Sequence, residues 1–362
     1  MRILRDYILG EFWGPFLGTL GVMTTVMILG NLIKLANLVI NRGVNIAIVG
    51  KLFLFLLPFL LSYTIPIAML FGALISLGRL ASDGEIVAIQ TSGINTFKII
   101  LPLIIVAFIM SLFLIILNDR FIPRMHYASR KTIQEIGIKN PSAVLEAGTF
   151  IDAFKGNIVF IYRIEDNTLY DIRIYQPQEG KPTRTIVAKK GEFIALPEKK
   201  AVKLKLIDGS SDEPDPNNPE NFYKLSFRNY FMTMDLANVA AKVDMKPKDM
   251  TIRELNKEIK KLKTTKTNPN YLHTEIQRKI SQSFAPLIFI IIGAPLAIIT
   301  RKRQVSIQFG LGFIIIAAYY LVTLGFQALC AQSKLDPRIG MWIPTIIFTF
   351  AGGFLIYKKC VS

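Results

Sequence analysis

Basic side chains at the edges of long apolar runs are the residues best placed to do chemistry here. Lys34, Arg42, Lys51, Arg278 and Lys334 each stand at the margin of a stretch almost free of charge. A lysine offers a point charge and an arginine a planar fork, and both suit a phosphate or another anionic headgroup. Lys34 is the sharpest candidate, because it follows 22 uncharged residues, 12–33. For any one of these positions the plain alternative is snorkelling, in which a long basic side chain reaches from apolar surroundings to ordinary headgroups. The cluster, which also includes Arg120, Arg124, Lys279 and Arg338, shifts the balance toward recognition.

A second candidate is the polar segment 81–93, ASDGEIVAIQTSG. Ser82 can cap a helix whose third residue is Glu85, Ile86, Val87 and Ile89 give it an apolar side, and Gly93 stops it. The spacing predicts a helix over about 82–92. One reading makes it a connector that covers the ends of its neighbours. The other makes it a stiff lever seated in a second protein, with Ser82, Asp83, Glu85, Ile86 and Ile89 as its working residues. Asp83 and Glu85 would then be held by basic side chains of that partner, since charge-assisted pairs fix orientation.

No catalytic set accompanies these residues. Gly180-Lys181-Pro182 lacks the upstream glycine and the hydroxyl residue of a phosphate-binding loop, so ATP is not expected to bind this chain in that manner. Zinc-protease and nucleophile-elbow patterns are missing as well. His126, His273, Cys330 and Cys360 form no disulfide framework and no metal site. Neither a metal nor a cofactor is expected, and any ATP-driven work would need another subunit.

The elements that position these residues follow from hydropathy. The 362 residues are 51% hydrophobic and 19% charged, with a mean hydropathy of +0.40, which disfavours a soluble enzyme. Uncharged stretches near the roughly 20 residues that cross hydrocarbon occur at 12–33, 52–78, 99–118, 280–300, 304–333 and 339–357. Residues 121–275 differ: 46 of 155 positions are charged, against 23 of the other 207. That contrast marks a water-soluble insert between two groups of three helices. The first run is too long for a signal peptide and lacks its cleavage site, so it reads as a retained helix. A net charge of +17 calls for an anionic partner, yet without a basic helix, zinc spacing or aromatic RNA-binding signature nucleic acid is excluded.

Orientation follows from Lys and Arg in the short loops. With both termini in the cytoplasm that side receives Arg2, Arg5, Arg79, Lys98, Arg301, Lys302, Arg303, Lys358 and Lys359, and the other receives Lys34, Arg42, Lys51, Lys334 and Arg338. Nine against five favours this arrangement and puts the insert outside. Cys330 and Cys360 then fall at opposite faces, too far apart to bridge. Asp119 and Asp336 are expected to pair with Arg120 and Arg338.

Within the insert the period changes to two: Val202, Leu204 and Leu206 alternate with Lys203 and Lys205, and 158–162 is a β-branched and aromatic run. Further strands are predicted at 169–176, 184–196 and 222–234, which argues a sandwich or jelly roll. Thr251 and Glu254 form a capping box that opens a charged helix to about Lys263. Small residues recur at helical spacing, Gly10, Gly14 and Gly18 in the first span and Ser306 with Gly310 in the fifth, a pattern that lets helices approach closely. Pro58, Pro66, Pro286 and Pro295 are expected to kink long helices.

The segment 81–93, with TEIQRKISQSFAPLIFIIIGAPLAI at 274–298 and MTIREL at 250–255, resembles the LptF/LptG (YjgP/YjgQ) permease family of the lipopolysaccharide export machine, and the similarity in layout spans essentially the whole chain. KLDPRIGMW at 334–342 and NPSAVLEAGTF at 140–150 look more like the F type. The resemblance implies an α-helical membrane protein with six transmembrane helices, three plus three, and an inserted all-β periplasmic jelly-roll-like domain. Its parts would be helices one to three over 1–120, the β domain over 121–265 and helices four to six over 266–362. It further implies the inner membrane of a Gram-negative bacterium, a second LptF/LptG-type permease, a cytoplasmic LptB-type ATPase dimer that binds the ATP, periplasmic LptC/LptA-type jelly-roll proteins, and lipopolysaccharide as substrate. A basic residue near Lys34 would contact lipid A phosphate, and Gly14, Gly18, Ser306 and Gly310 would line the lateral gate. Competing readings are export of another anionic envelope lipid or lipoprotein, a membrane-anchored enzyme, and an envelope scaffold.

Overall fold

The computed structural model describes residues 2–40, 44–139, 147–154, 156–165, 168–178, 181–196, 201–214, 222–235, 245–264, 269–300 and 305–361. Six of its helical stretches are long and apolar enough to cross a membrane. The first two are α1 (Arg2–Ile40) and α2 (Ile46–Ser82). After the short α3 (Glu85–Thr91), α4 (Thr96–Ile116) runs through a π-helical turn, Leu117–Phe121, into α5 (Ile122–Lys139). Beyond the β strands come α6 (Ile252–Thr264), α7 (Asn270–Ser283), α8 (Ala285–Thr300), α9 (Val305–Ala331), α10 (Pro337–Gly340) and α11 (Ile343–Val361). Pro58 and Pro66 lie inside a continuous α2, whereas Pro286 follows a break at Phe284 and occupies the first turn of α8, where its missing N–H costs nothing.

The chain divides into two compact units. The larger comprises residues 1–30, 56–126 and 246–362. Its core joins Phe12 and Phe16 of α1 with Met69, Leu70 and Phe71 of α2, Leu103 of α4, Phe289 of α8 and Tyr319 of α9. Helices meet where a glycine removes the side chain between them: a methyl on Gly72 would strike the Phe12 ring, on Gly312 the Phe71 ring, and on Gly352 both the side chain and the carbonyl of Ile291 at 2.7 Å. Gly352→Ala therefore has to separate α8 from α11 and is expected to cost about 1–3 kcal/mol, read as a lower melting temperature in detergent. Gly353→Ala, where the added carbon meets nothing within 4 Å, is the control that should melt like the wild type.

The second unit comprises 31–55 and 127–245. One small core in it joins Val44, Val49 and Leu52 to Ile136 of α5. α5, for which the sequence suggested no element, continues the helix of α4 over 122–139, and the strands begin only at Phe150. Its many charges disguise an amphipathic helix.

The strands are β1 (Phe150–Phe154), β2 (Asn157–Glu165), β3 (Thr168–Gln178), β4 (Lys181–Leu196), β5 (Ala201–Pro214) and β6 (Phe222–Asp235), one antiparallel sheet in sequence order. Leu204 and Leu206 are fully buried, as their alternation predicts, with Val159, Ile161, Ile172, Ile174 and Ile186 beside them. A single sheet buries one face this completely only by folding over it, and the register shows where it folds. Inward residues elsewhere are two apart, but Ile161 to Ile164, Leu169 to Ile172, Ala188 to Gly191, Leu206 to Gly209 and Phe227 to Tyr230 are three apart. The ladders skip Tyr162, Asp171, Lys189, Asp208 and Arg228 in turn, so the extra residues line up across five strands. Asp171 and Asp208 both adopt φ 51°, the left-handed conformation an inserted residue needs and aspartate tolerates. The extra residues face one another without any shift of register, so they are not bulges of one strand against the next, and they crease the sheet along one line across β2 to β6.

Candidate functional site

The polar turn between α2 and α4 is built from the larger unit alone. Ser82 does not cap α3; it is the last residue of α2, and its hydroxyl donates to the Arg79 carbonyl at 2.9 Å. The helix begins instead after Gly84, whose φ of 78° turns the chain back sharply and leaves α3 seven residues long. The capping pattern misled because the following Asp83-Gly84 pair makes the turn that capping would otherwise make.

Three ties hold this short helix rigid. Ile86 is 1% exposed in the large core and Ile89 packs against the same core. The Tyr7 hydroxyl of α1 donates to Glu85 Oε2 at 2.6 Å. At the other end Gln90 Nε2 donates to Thr96 Oγ1 of α4 at 2.6 Å. Arg79, one turn before the elbow, is ion-paired with Glu11 of α1. Sequence reasoning missed Tyr7 and Glu11, although their spacing of four puts both on one face of the first helix. The outward residues are Asp83 and Val87, with Ala88 beside them. Ile86 and Ile89, expected to work at a partner, are thus the anchors of α3 in its own chain, and Glu85 is held by a tyrosine of that chain.

The five basic candidates separate. Lys34 lies in α1, with its side chain outside the described residues, and Arg42 lies outside them altogether. Lys51, exposed in the first turns of α2, sits 5.7 Å from the Phe55 ring. These three belong to the smaller unit and the other two to the larger. Lys334 lines a polar cavity of about 350 Å³ with Asn270, His273, Asp336 and Arg338. Arg278 is engaged within its own chain. Its side chain is only 19% exposed and its fork is filled, with Nε donating to Glu275 Oε2 at 3.0 Å and a second nitrogen to Gln282 Oε1 at 3.1 Å. Three of the five N–H donors of the guanidinium are thus engaged within the chain. Lys279 is also internal, 5% exposed, and its ammonium donates to the Met250 carbonyl.

The two outer aspartates act as caps instead of pairing with the neighbouring arginines. Asp119, in the π-helical turn, accepts the Ile252 N–H at 2.7 Å and so closes the N-terminus of α6 from another element. Asp336 accepts the Arg338 N–H at 2.9 Å and opens α10. The Thr251–Glu254 capping box forms as read, with the Thr251 N–H donating to Glu254 at 2.8 Å. Among the described residues no group of three or more His, Cys, Asp or Glu side chains could hold a metal ion.

The small residues expected at a gate do not pack within this chain. A methyl on Gly10, Gly14, Gly18 or Gly310 meets nothing within 4 Å, while the glycines that do join helices were not singled out by spacing. Ser306 lies in α9 with its side chain outside the described residues.

Residues 6–358 match the family described as lipopolysaccharide export system permease LptF/LptG. The LptG permease protein of Haemophilus influenzae is 33% identical over 118 residues, 30% of this chain and 31% of that protein. That of Escherichia coli K12 is 22% identical over 81% of both chains, and E. coli K12 LptF is 19% identical over 96% of this chain and 92% of that one. Relatives of both types match, so they do not separate F from G, and part of the segment read as F-like, 140–146, lies outside the described residues.

Proposed function

We propose, from the premise that this chain belongs to the lipopolysaccharide export permease LptF/LptG family, that it is one of two permease subunits that lift lipopolysaccharide out of the inner membrane. In this reading both termini and α3 face the cytoplasm and the β domain faces the periplasm. Lys34, Arg42 and Lys51 of the smaller unit, and separately Lys334 of the larger, are the candidate contacts for the lipid's phosphates. A cytoplasmic ATPase dimer of the LptB type binds ATP and drives the cycle, and the β domain hands the lipid to periplasmic jelly-roll proteins of the LptC/LptA type.

The observation that carries this reading is the open face of α1. Among the described residues a methyl on Gly14 or Gly18 meets nothing within 4 Å, while Phe12 and Phe16 on the same helix are buried in the core. One face of α1 is therefore anchored and the other is bare and narrow, which suits a helix against which a second permease closes and opens. Gly310 leaves a similar gap on α9. An enzyme reading finds no catalytic constellation to support it, and a scaffold would need no rigid polar elbow.

Lipid capture tests this directly. A photo-crosslinker at position 34 in the full membrane complex is expected to capture lipopolysaccharide, and neutralising Lys34 and Arg42 together should lower export several-fold while the permease pair and the ATPase still copurify. If no lipopolysaccharide is captured, or the double variant exports normally, the assignment of these cations fails.

A further inference from the structure

We infer that the outward face of α6 is a docking surface for anionic phospholipid headgroups of the bilayer. The sequence reading treated this helix only as a capped, charged connector. Its geometry makes it more specific, because two independent markers place it at headgroup depth. Asp119 holds the first N–H of α6 at 2.7 Å, and Asp119 stands two residues past Leu117, where the apolar run of α4 ends. On its other side, Leu255 and Ile259 of α6 pack on Leu272 and Ile276 of α7, a polar helix that gives way to the apolar α8 at Ala285. At about 1.5 Å per residue, Ile280, which packs against the same cluster, lies roughly 8 Å along the chain from that boundary, at the outer edge of a headgroup layer beside the hydrocarbon.

The apolar stripe of α6 is already covered by α7, so the helix has nothing left to insert into hydrocarbon. What it offers outward is charge: Arg253, Lys257, Lys260 and Lys261 are exposed, against Glu254 and Glu258. Glu254 is turned to the Thr251 cap and Glu258 accepts from Lys261 at 3.1 Å, which leaves the cations dominant on the outer side. Lys246 and Lys248, exposed on the turn that leads into the helix, extend the same surface. Its fit is to a layer of phosphodiester anions, and the attraction should weaken with salt because it acts across solvent. The inference requires the six helices to span a bilayer. It does not require the export reading.

The test uses the full-length chain in phosphatidylcholine vesicles that contain phosphatidylglycerol, with p-benzoylphenylalanine at the exposed position Asn256 and each lipid labelled in turn. Phosphatidylglycerol adducts should exceed their mole fraction by about threefold or more. The ratio should fall to the mole fraction in Lys257→Gln/Lys260→Gln/Lys261→Gln, whose changes are all on the surface, and in high salt. Adducts in proportion to mole fraction in the wild type, a ratio unmoved by the triple change, or capture of no lipid would each overturn the inference. A third arm adds lipopolysaccharide; if that alone is captured, the surface belongs to the substrate route and the phospholipid assignment is wrong. Loss of export with normal phosphatidylglycerol capture would count against the proposed function and leave this inference standing.

Discussion

Reversing the charge at Glu85 should, in the proposed export cycle, uncouple the permease from the partner ATPase while leaving it folded. Glu85→Lys is expected to lower ATP-driven export by the assembled complex at least tenfold, and to weaken or misalign the seating of the ATPase. Glu85 sits at the elbow with one oxygen on the Tyr7 hydroxyl at 2.6 Å, beside the Arg79–Glu11 ion pair. Force applied at α3 thus reaches α1 through side chains as well as through the backbone of α2. A hydrogen bond to a charged group contributes about 1.5–3 kcal/mol, and at a partly exposed site the lower end applies, which is about tenfold in an equilibrium.

Tyr7→Phe separates the two roles of this carboxylate. It deletes only the tie to α1 and leaves Glu85 free to meet a partner. If the tie transmits motion, ATPase binding should stay normal while transport per ATP hydrolysed falls. If Glu85→Lys exports and hydrolyses ATP like the wild type, α3 is merely a cover for the helix ends, and the lever role is lost with it.

The membrane architecture was legible because hydropathy over roughly 20 residues is a strong, local signal. The capping box at Thr251 and the alternation at Leu204 and Leu206 were legible for the same reason, being complete within a few residues. The crease of the sheet was not. Each strand carries one extra residue, and only their alignment across β2 to β6 gives the insertion meaning. Asp208-Gly209 is the lone local hint, and it reads equally well as an ordinary turn. The glycines show a different limit. Regular spacing picked out Gly14 and Gly18, which are bare, because periodicity reports a smooth face but not what lies against it. Gly72, Gly293, Gly312 and Gly352 are the working contacts and share no spacing. The partner of Arg278 was within local reach: Glu275 stands three residues before it, close enough to pair once the segment is helical.

That pair makes the largest stability prediction. Glu275 is 7% exposed and accepts two hydrogen bonds from Arg278, with the buried Lys279 next in sequence. Glu275→Ala would leave two cations in a site where the guanidinium keeps Gln282 and the ammonium keeps the Met250 carbonyl. Removing one partner of a buried pair costs about 3–5 kcal/mol, since the remaining charge is stranded without its counter-ion. The expected result is a large drop in the melting temperature of the detergent-solubilised chain, and loosening of the Met250 segment that leads into α6. Glu275→Leu with Arg278→Met should be much milder, because it withdraws both charges and fills the volume with apolar atoms. The double variant also decides what Arg278 does. A guanidinium that only balances Glu275 can be lost with its partner at no cost to lipopolysaccharide capture from position 34. If the double variant melts near the wild type but captures no lipid, Arg278 serves the substrate after all, and its internal ion pair is a resting arrangement that the lipid displaces.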